Sequence, residues 1–142
     1  MYYTACDYPY VGIVGLATAS SLYGPWTDLG AIASSDVSMP ENATLLVHDG
    51  LYYLFYNDSQ PPGLGEVYRI GESYAGPWSA PHLFRPGWAH EFFTGYDGEE
   101  YVSYLDSRDA EMRRLGWSTL TWPPRPWSGT TLYAVWVPLV GR

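Results

Sequence analysis

The feature that most constrains this chain is a repeat with a period of about 50 residues. "SLYGPWTDLG" (Ser21–Gly30) returns as "SYAGPWSAPH" (Ser73–His82), with Gly-Pro-Trp displaced by 52 residues. "HDGLYYLFY" (His48–Tyr56) returns as "YDGEEYVSY" (Tyr96–Tyr104), displaced by 48. "RPWSG" (Arg125–Gly129) is a weaker echo, its Trp lying 49 residues beyond that of the second Gly-Pro-Trp. Repeats of this length mean propeller blades or solenoid units, which bury their apolar faces against their neighbours.

Inside one repeat the pattern is that of strands. "ENATLLVH" is an apolar-centred run that ends at Asp49-Gly50, a strong signal for a two-residue hairpin turn. "LYYLFY" follows and breaks at "NDSQPPG"; "GEVYRIGES" is a third run, and Gly76-Pro77 turns the chain into "WSAPHLF". Aromatic residues at 18%, with 15 Gly and 12 Pro, favour pleated strands and interrupt helices. The expected fold is all-β and propeller-like, with about three four-stranded antiparallel blades in one domain across residues 1–142. The repeats fall at about 2–40, 41–88 and 89–134. The first begins at "MYYTA", which matches the second strand "LYYLFY", so its innermost strand is missing. The C-terminal tail, about 130–142, carries "TLYAVWVPLV" beyond the content expected of a blade.

Charge and motif content exclude several functions. A net charge of −8, with scattered basic residues apart from Arg113-Arg114, argues against nucleic acid as a partner. No apolar run approaches the roughly 20 residues that cross a bilayer, so no membrane role is expected. The start lacks a basic segment followed by an apolar core, which points away from a signal peptide and slightly toward the cytoplasm. The single cysteine, Cys6, forbids an internal disulfide and is consistent with a reducing compartment. Asn42-Ala-Thr44 and Asn57-Asp-Ser59 match the glycosylation pattern and, without a leader, are read as chance. No cofactor or metal is expected: spaced Cys/His ligands, Walker-type loops and a Gly-x-Ser-x-Gly elbow are all absent.

"YYTACDYPYVGIVGLATASSLYGPWTDLGAI" followed by "ENATLLVHDGLYYLFYN" resembles the middle of a glycoside hydrolase of the five-bladed propeller group, the family 43 arabinanase/xylosidase and family 32 fructosidase types. The resemblance covers about residues 2–120. Members typically end a blade in Ser-Asp-Ser-x-x-Gly-Pro-Trp, open the next with Glu-x-Pro, and continue into Asp-Gly-x-Tyr-Tyr-Leu. The resemblance implies three carboxylates meeting where the innermost strands converge: an Asp as base or nucleophile, an orienting Asp and a Glu as general acid. Glu41, seven residues before His48 and at the start of an innermost strand, stands where that Glu is expected, with Ala43 in place of the usual Pro. The two Asp positions would precede Met1, and Asp7 falls in the loop after the strand, too late to substitute. The resemblance therefore implies a truncated carbohydrate-active propeller without conventional hydrolase activity, retaining a carbohydrate ligand. One alternative is an active glycosidase using Glu41 with carboxylates from a partner chain. Another is a structural or protein-binding propeller, since fold alone does not choose function.

Four further residues are candidates for the site. Counting back from Tyr96-Asp97-Gly98 sets Glu91 opposite Ala43, two residues from the register of Glu41 and hence on the same side of its strand. His90 should point the other way unless the strand start is irregular. Trp88 and Trp117 do not recur at the repeat period, which makes them candidates for ligand contact. Trp26, Trp78 and Trp127 do recur, so they are expected to pack between blades, and Tyr52, Tyr53 and Tyr101 to be core. Three blades with open ends would expose large apolar faces. Closure of the ring in a homodimer, with the C-terminal tail exchanged, is the expected remedy.

Overall fold

The computed structural model describes residues 1–7, 11–35, 39–59, 65–106 and 114–123. Within these residues the chain is all-β, with ten strands and no helix. They form three antiparallel sheets, none closed on itself. The first contains β1 (Tyr2–Asp7), β2 (Val11–Thr18) and β3 (Thr27–Ser35). The second runs β4 (Glu41–His48), β5 (Leu51–Asp58), β6 (Gly65–Gly71) and β7 (His82–Arg85). The third holds β8 (Trp88–Thr94), β9 (Glu100–Asp106) and β10 (Arg114–Thr119). Trp88 thus opens the third sheet, and Asp7 is the last residue of β1, paired with Val11, not part of the following loop. Trp127, Arg113 and the tail at 130–142 lie outside the described residues.

Register shows that the sheets are repeated units. Tyr3 faces Gly15 across β1 and β2, Tyr56 faces Val67 across β5 and β6, and Tyr104 faces Gly116 across β9 and β10. In the first and third sheets the Tyr ring lies over the glycine so closely that a Cβ there would collide with it. The two Gly-Pro-Trp segments also share one geometry, each leading into the outermost strand of its sheet. Both Gly-Pro bonds are cis, and Gly24 and Gly76 have φ of 80° and 88°, a region that favours glycine. Their N–H groups donate to Ser21 O and Ser73 O at 3.1 and 3.0 Å.

The second sheet is covered on both faces. Side chains of a strand alternate between faces, and in β5 both sets are apolar or aromatic. Leu54 and Tyr56, with Val67 of β6, pack against Val14 and Ala33 of the first sheet, joined by the half-buried Trp78. Tyr53 and Phe55, with Tyr68 and Ile70, pack the other way against Phe92 of β8 and Trp122. Trp78 therefore serves the packing expected of it. Trp26, its counterpart at the open end of the first sheet, is 41% exposed. The hairpin at Asp49-Gly50 has two turn residues at φ 50° and 74°, as the Asp-Gly pair predicts. Its counterpart at Asp97-Gly98 is a longer loop, since Thr94 pairs with Glu100.

Candidate functional site

The first strands of the second and third sheets, β4 and β8, begin with the same irregularity. In β4 the pairing with β5 shifts between Glu41 and Thr44, and in β8 the pairing with β9 shifts between Trp88 and Glu91. Each bulge carries a left-handed non-glycine residue, Asn42 at φ 55° and Ala89 at φ 52°. Such backbone is uncommon for residues with a Cβ, and bulges of this kind re-aim the neighbouring side chains. Glu41 and Trp88 therefore occupy equivalent positions in successive sheets, 47 residues apart.

The bulges are held across the seam by one buried amide. Asn57 is fully buried at the end of β5. Its Oδ1 accepts the N–H of Ala89 at 3.0 Å and Nδ2 of Asn42 at 3.2 Å, and its Nδ2 donates to Gly87 O at 3.4 Å. A single side chain thus fixes the openings of β4 and β8 together. This residue lies in one of the two glycosylation-like sequences, and its burial is incompatible with a glycan there.

Between these openings lies a cavity of about 540 Å³ lined by Met39, Glu41, Asn42, Ser59, Trp88, Ala89 and Leu105. Two of the sequence-predicted residues meet in it: Glu41, which is exposed, and Trp88, which is half-buried. The other three do not line it. His90 is fully buried beneath, its Nδ1 3.1 Å from Oε2 of Glu66. Glu91 is exposed on β8, where its charge adds to burial in pushing the Glu66 carboxyl well above the usual carboxylate range. Trp117 is 69% exposed on β10, edge-on to Tyr101. The expected register of Glu91 is also corrected. It is equivalent to Thr44, not Ala43, because the longer loop at Asp97-Gly98 offsets the count along β8. His90 takes the place of Ala43 and, as expected of its alternation with Glu91, is buried where Glu91 is exposed.

Sequence reasoning missed Asn42, Asn57 and Glu66. The signal for Asn57 was its place at the end of the apolar run "LYYLFY", where a polar residue reads as the strand simply stopping. Among the described residues no group of three or more His, Cys, Asp or Glu side chains could hold a metal ion. No helix among them is long and apolar enough to cross a membrane. No family model, curated protein or solved structure matches the chain.

Proposed function

We propose that the three sheets are successive blades of a propeller-like domain of the glycoside hydrolase type, and that the cavity at their seam binds a carbohydrate. The observation that carries this reading is the meeting of Glu41 and Trp88 in one cavity. A sugar presents hydroxyl groups at its edge and C–H bonds on its face. A carboxylate accepts strong hydrogen bonds from the first, and an indole face packs against the second. A volume of about 540 Å³ falls in the range of roughly 300–1,000 Å³ usual for small-molecule sites.

Binding is favoured over turnover because glycoside hydrolysis needs two carboxyl groups flanking the bond, roughly 5–10 Å apart. Among the described residues Glu41 is the one carboxylate lining the cavity. A second copy of the chain completes this picture by closing the array. Phe93, Tyr101 and Trp117, on the outer face of the third sheet, stand at the register positions of Leu46, Tyr53 and Tyr68, which in the second sheet belong to the cluster that Phe92 and Trp122 pack against.

Calorimetric titration with arabino-, xylo- and fructo-oligosaccharides tests the reading. Saturable binding that is lost in Trp88→Ala supports it. Turnover of an aryl glycoside that disappears in Glu41→Gln replaces it with an enzyme, and silence toward every glycan replaces it with a structural role.

A further inference from the structure

Beneath the cavity wall, Glu66 of β6 and His90 of β8 face one another across the seam between the second and third sheets. Both side chains are fully buried, and His90 Nδ1 lies 3.1 Å from Glu66 Oε2. The contact is a close approach without hydrogen-bond geometry, and none of the four polar side-chain atoms has a hydrogen-bond partner among the described residues. Tyr104 of β9 stacks on the imidazole at 5.7 Å between ring centroids, and Phe84 of β7 meets it edge-on at 6.4 Å. Two charges act on the pair from neighbouring elements. Arg85 of β7 adds to burial in holding the His90 imidazole down to about 3. Glu91 of β8 adds to burial in raising the Glu66 carboxyl. Asn57, opposite Glu66 on β5, does not titrate.

This geometry admits one proton. With one, the pair is neutral overall, as carboxylic acid and imidazole or as carboxylate and imidazolium. With two it carries a buried positive charge, and with none a buried negative charge, and either is costly away from water. His90 directly follows Ala89 and Trp88, which form the cavity wall.

We infer that Glu66 and His90 are a one-proton couple that positions the Trp88–Ala89 wall, and that the seam loosens when the couple gains a second proton or loses its only one. The inference rests on the cavity described above and not on what the cavity binds.

The sign of the pH dependence follows from linkage. In the unfolded chain the two groups titrate near their ordinary values of 4.5 and 6.5. His90, depressed in the fold, contributes stability that is present above 6.5 and lost as pH falls. Glu66, raised in the fold, contributes stability that is present below 4.5 and lost as pH rises. Between those values the two trends cancel, because folded and unfolded pairs each hold one proton. Below about 4.5 the unfolded pair holds two, and above about 6.5 none. On either side the unfolding equilibrium constant rises about tenfold per pH unit through this couple.

The test is urea unfolding from pH 3.5 to 8.5, comparing wild type with Glu66→Gln and His90→Gln. Relative to wild type, Glu66→Gln should lose the decline above 6.5 and lose stability between 6.5 and 4.5. His90→Gln should lose the decline below 4.5 and lose stability between 4.5 and 6.5. Differences from wild type that do not change with pH overturn the proposal. Should either variant fail to fold, ring-labelled histidine NMR on the wild-type chain decides the matter. A His90 resonance that titrates near 6.5 overturns the couple, and one unchanged from 4.5 to 6.5 supports it. For the positioning role, a fluorotryptophan resonance assigned through Trp88→Phe should shift outside the window in wild type only, and an unmoving resonance overturns it. Absence of sugar binding at every pH would refute the carbohydrate reading and leave these readouts unaffected.

Discussion

Asn57 and Ala89 join two sheets through one hydrogen bond: the buried Oδ1 of Asn57 accepts the Ala89 N–H at 3.0 Å, at a residue with φ of 52°. Replacing Asn57 with Ala strands that N–H and also removes the contacts to Gly87 and Asn42. We expect a loss of about 1–3 kcal/mol in urea unfolding, the range for a buried polar group left without partners. A loss below about 0.5 kcal/mol would mean that the seam does not depend on this amide.

Glu41 should behave in the opposite way. It is exposed at the cavity mouth, so Glu41→Gln should leave stability within about 0.5 kcal/mol of wild type. Its effect belongs to the ligand. Loss of a charge-assisted hydrogen bond should weaken oligosaccharide binding by about tenfold or more, as read by calorimetry. Unchanged affinity would remove Glu41 from the site.

Gly116 is expected to resist enlargement. A Cβ there would lie 2.6 Å from the Tyr104 ring, and that ring carries the Arg85 guanidinium at 4.0 Å on its face and stacks with His90. Gly116→Ala should therefore cost about 1–3 kcal/mol, as overpacking does. The same substitution in a Tyr104→Leu background should cost less. A thermodynamic cycle giving no coupling between the two positions would contradict this packing.

Trp117 separates the fold of one chain from its association. At 69% exposure it contributes little to a single chain, so Trp117→Ser should leave monomer stability nearly unchanged. If a second copy covers the third sheet, wild type should show a dimer mass by light scattering and Trp117→Ser should shift toward the monomer. A wild-type mass equal to one chain at micromolar concentration refutes closure by a second copy.

Much of the architecture was legible because it is encoded locally. Asp49-Gly50 dictates a two-residue turn, and the paired Gly-Pro-Trp segments mark the entry to each outer strand. Glu41 and Trp88, singled out by position and by non-repetition, both line the cavity. What failed was counting across a loop: Asp97-Gly98 looks like Asp49-Gly50 but closes a longer connection, so Glu91 was assigned the wrong register. Glu66 was invisible for a different reason. A charged residue in a strand reads as solvent-facing, whereas both faces of the second sheet are covered, and only the arrangement of three sheets reveals its burial.

The two-sided β5 strand has a consequence for how this chain can go wrong. A slip of one residue exchanges Leu54 and Tyr56 with Tyr53 and Phe55, so apolar groups would still fill both faces. Hydrophobicity therefore gives this strand no preference between the two alignments beyond differences of shape. What fixes its alignment are the short turn at one end and the Asn57 amide at the other. These act like two end pins on a ruler with no markings, and a residue inserted at Asp49-Gly50 would free the strand to settle a step out of place.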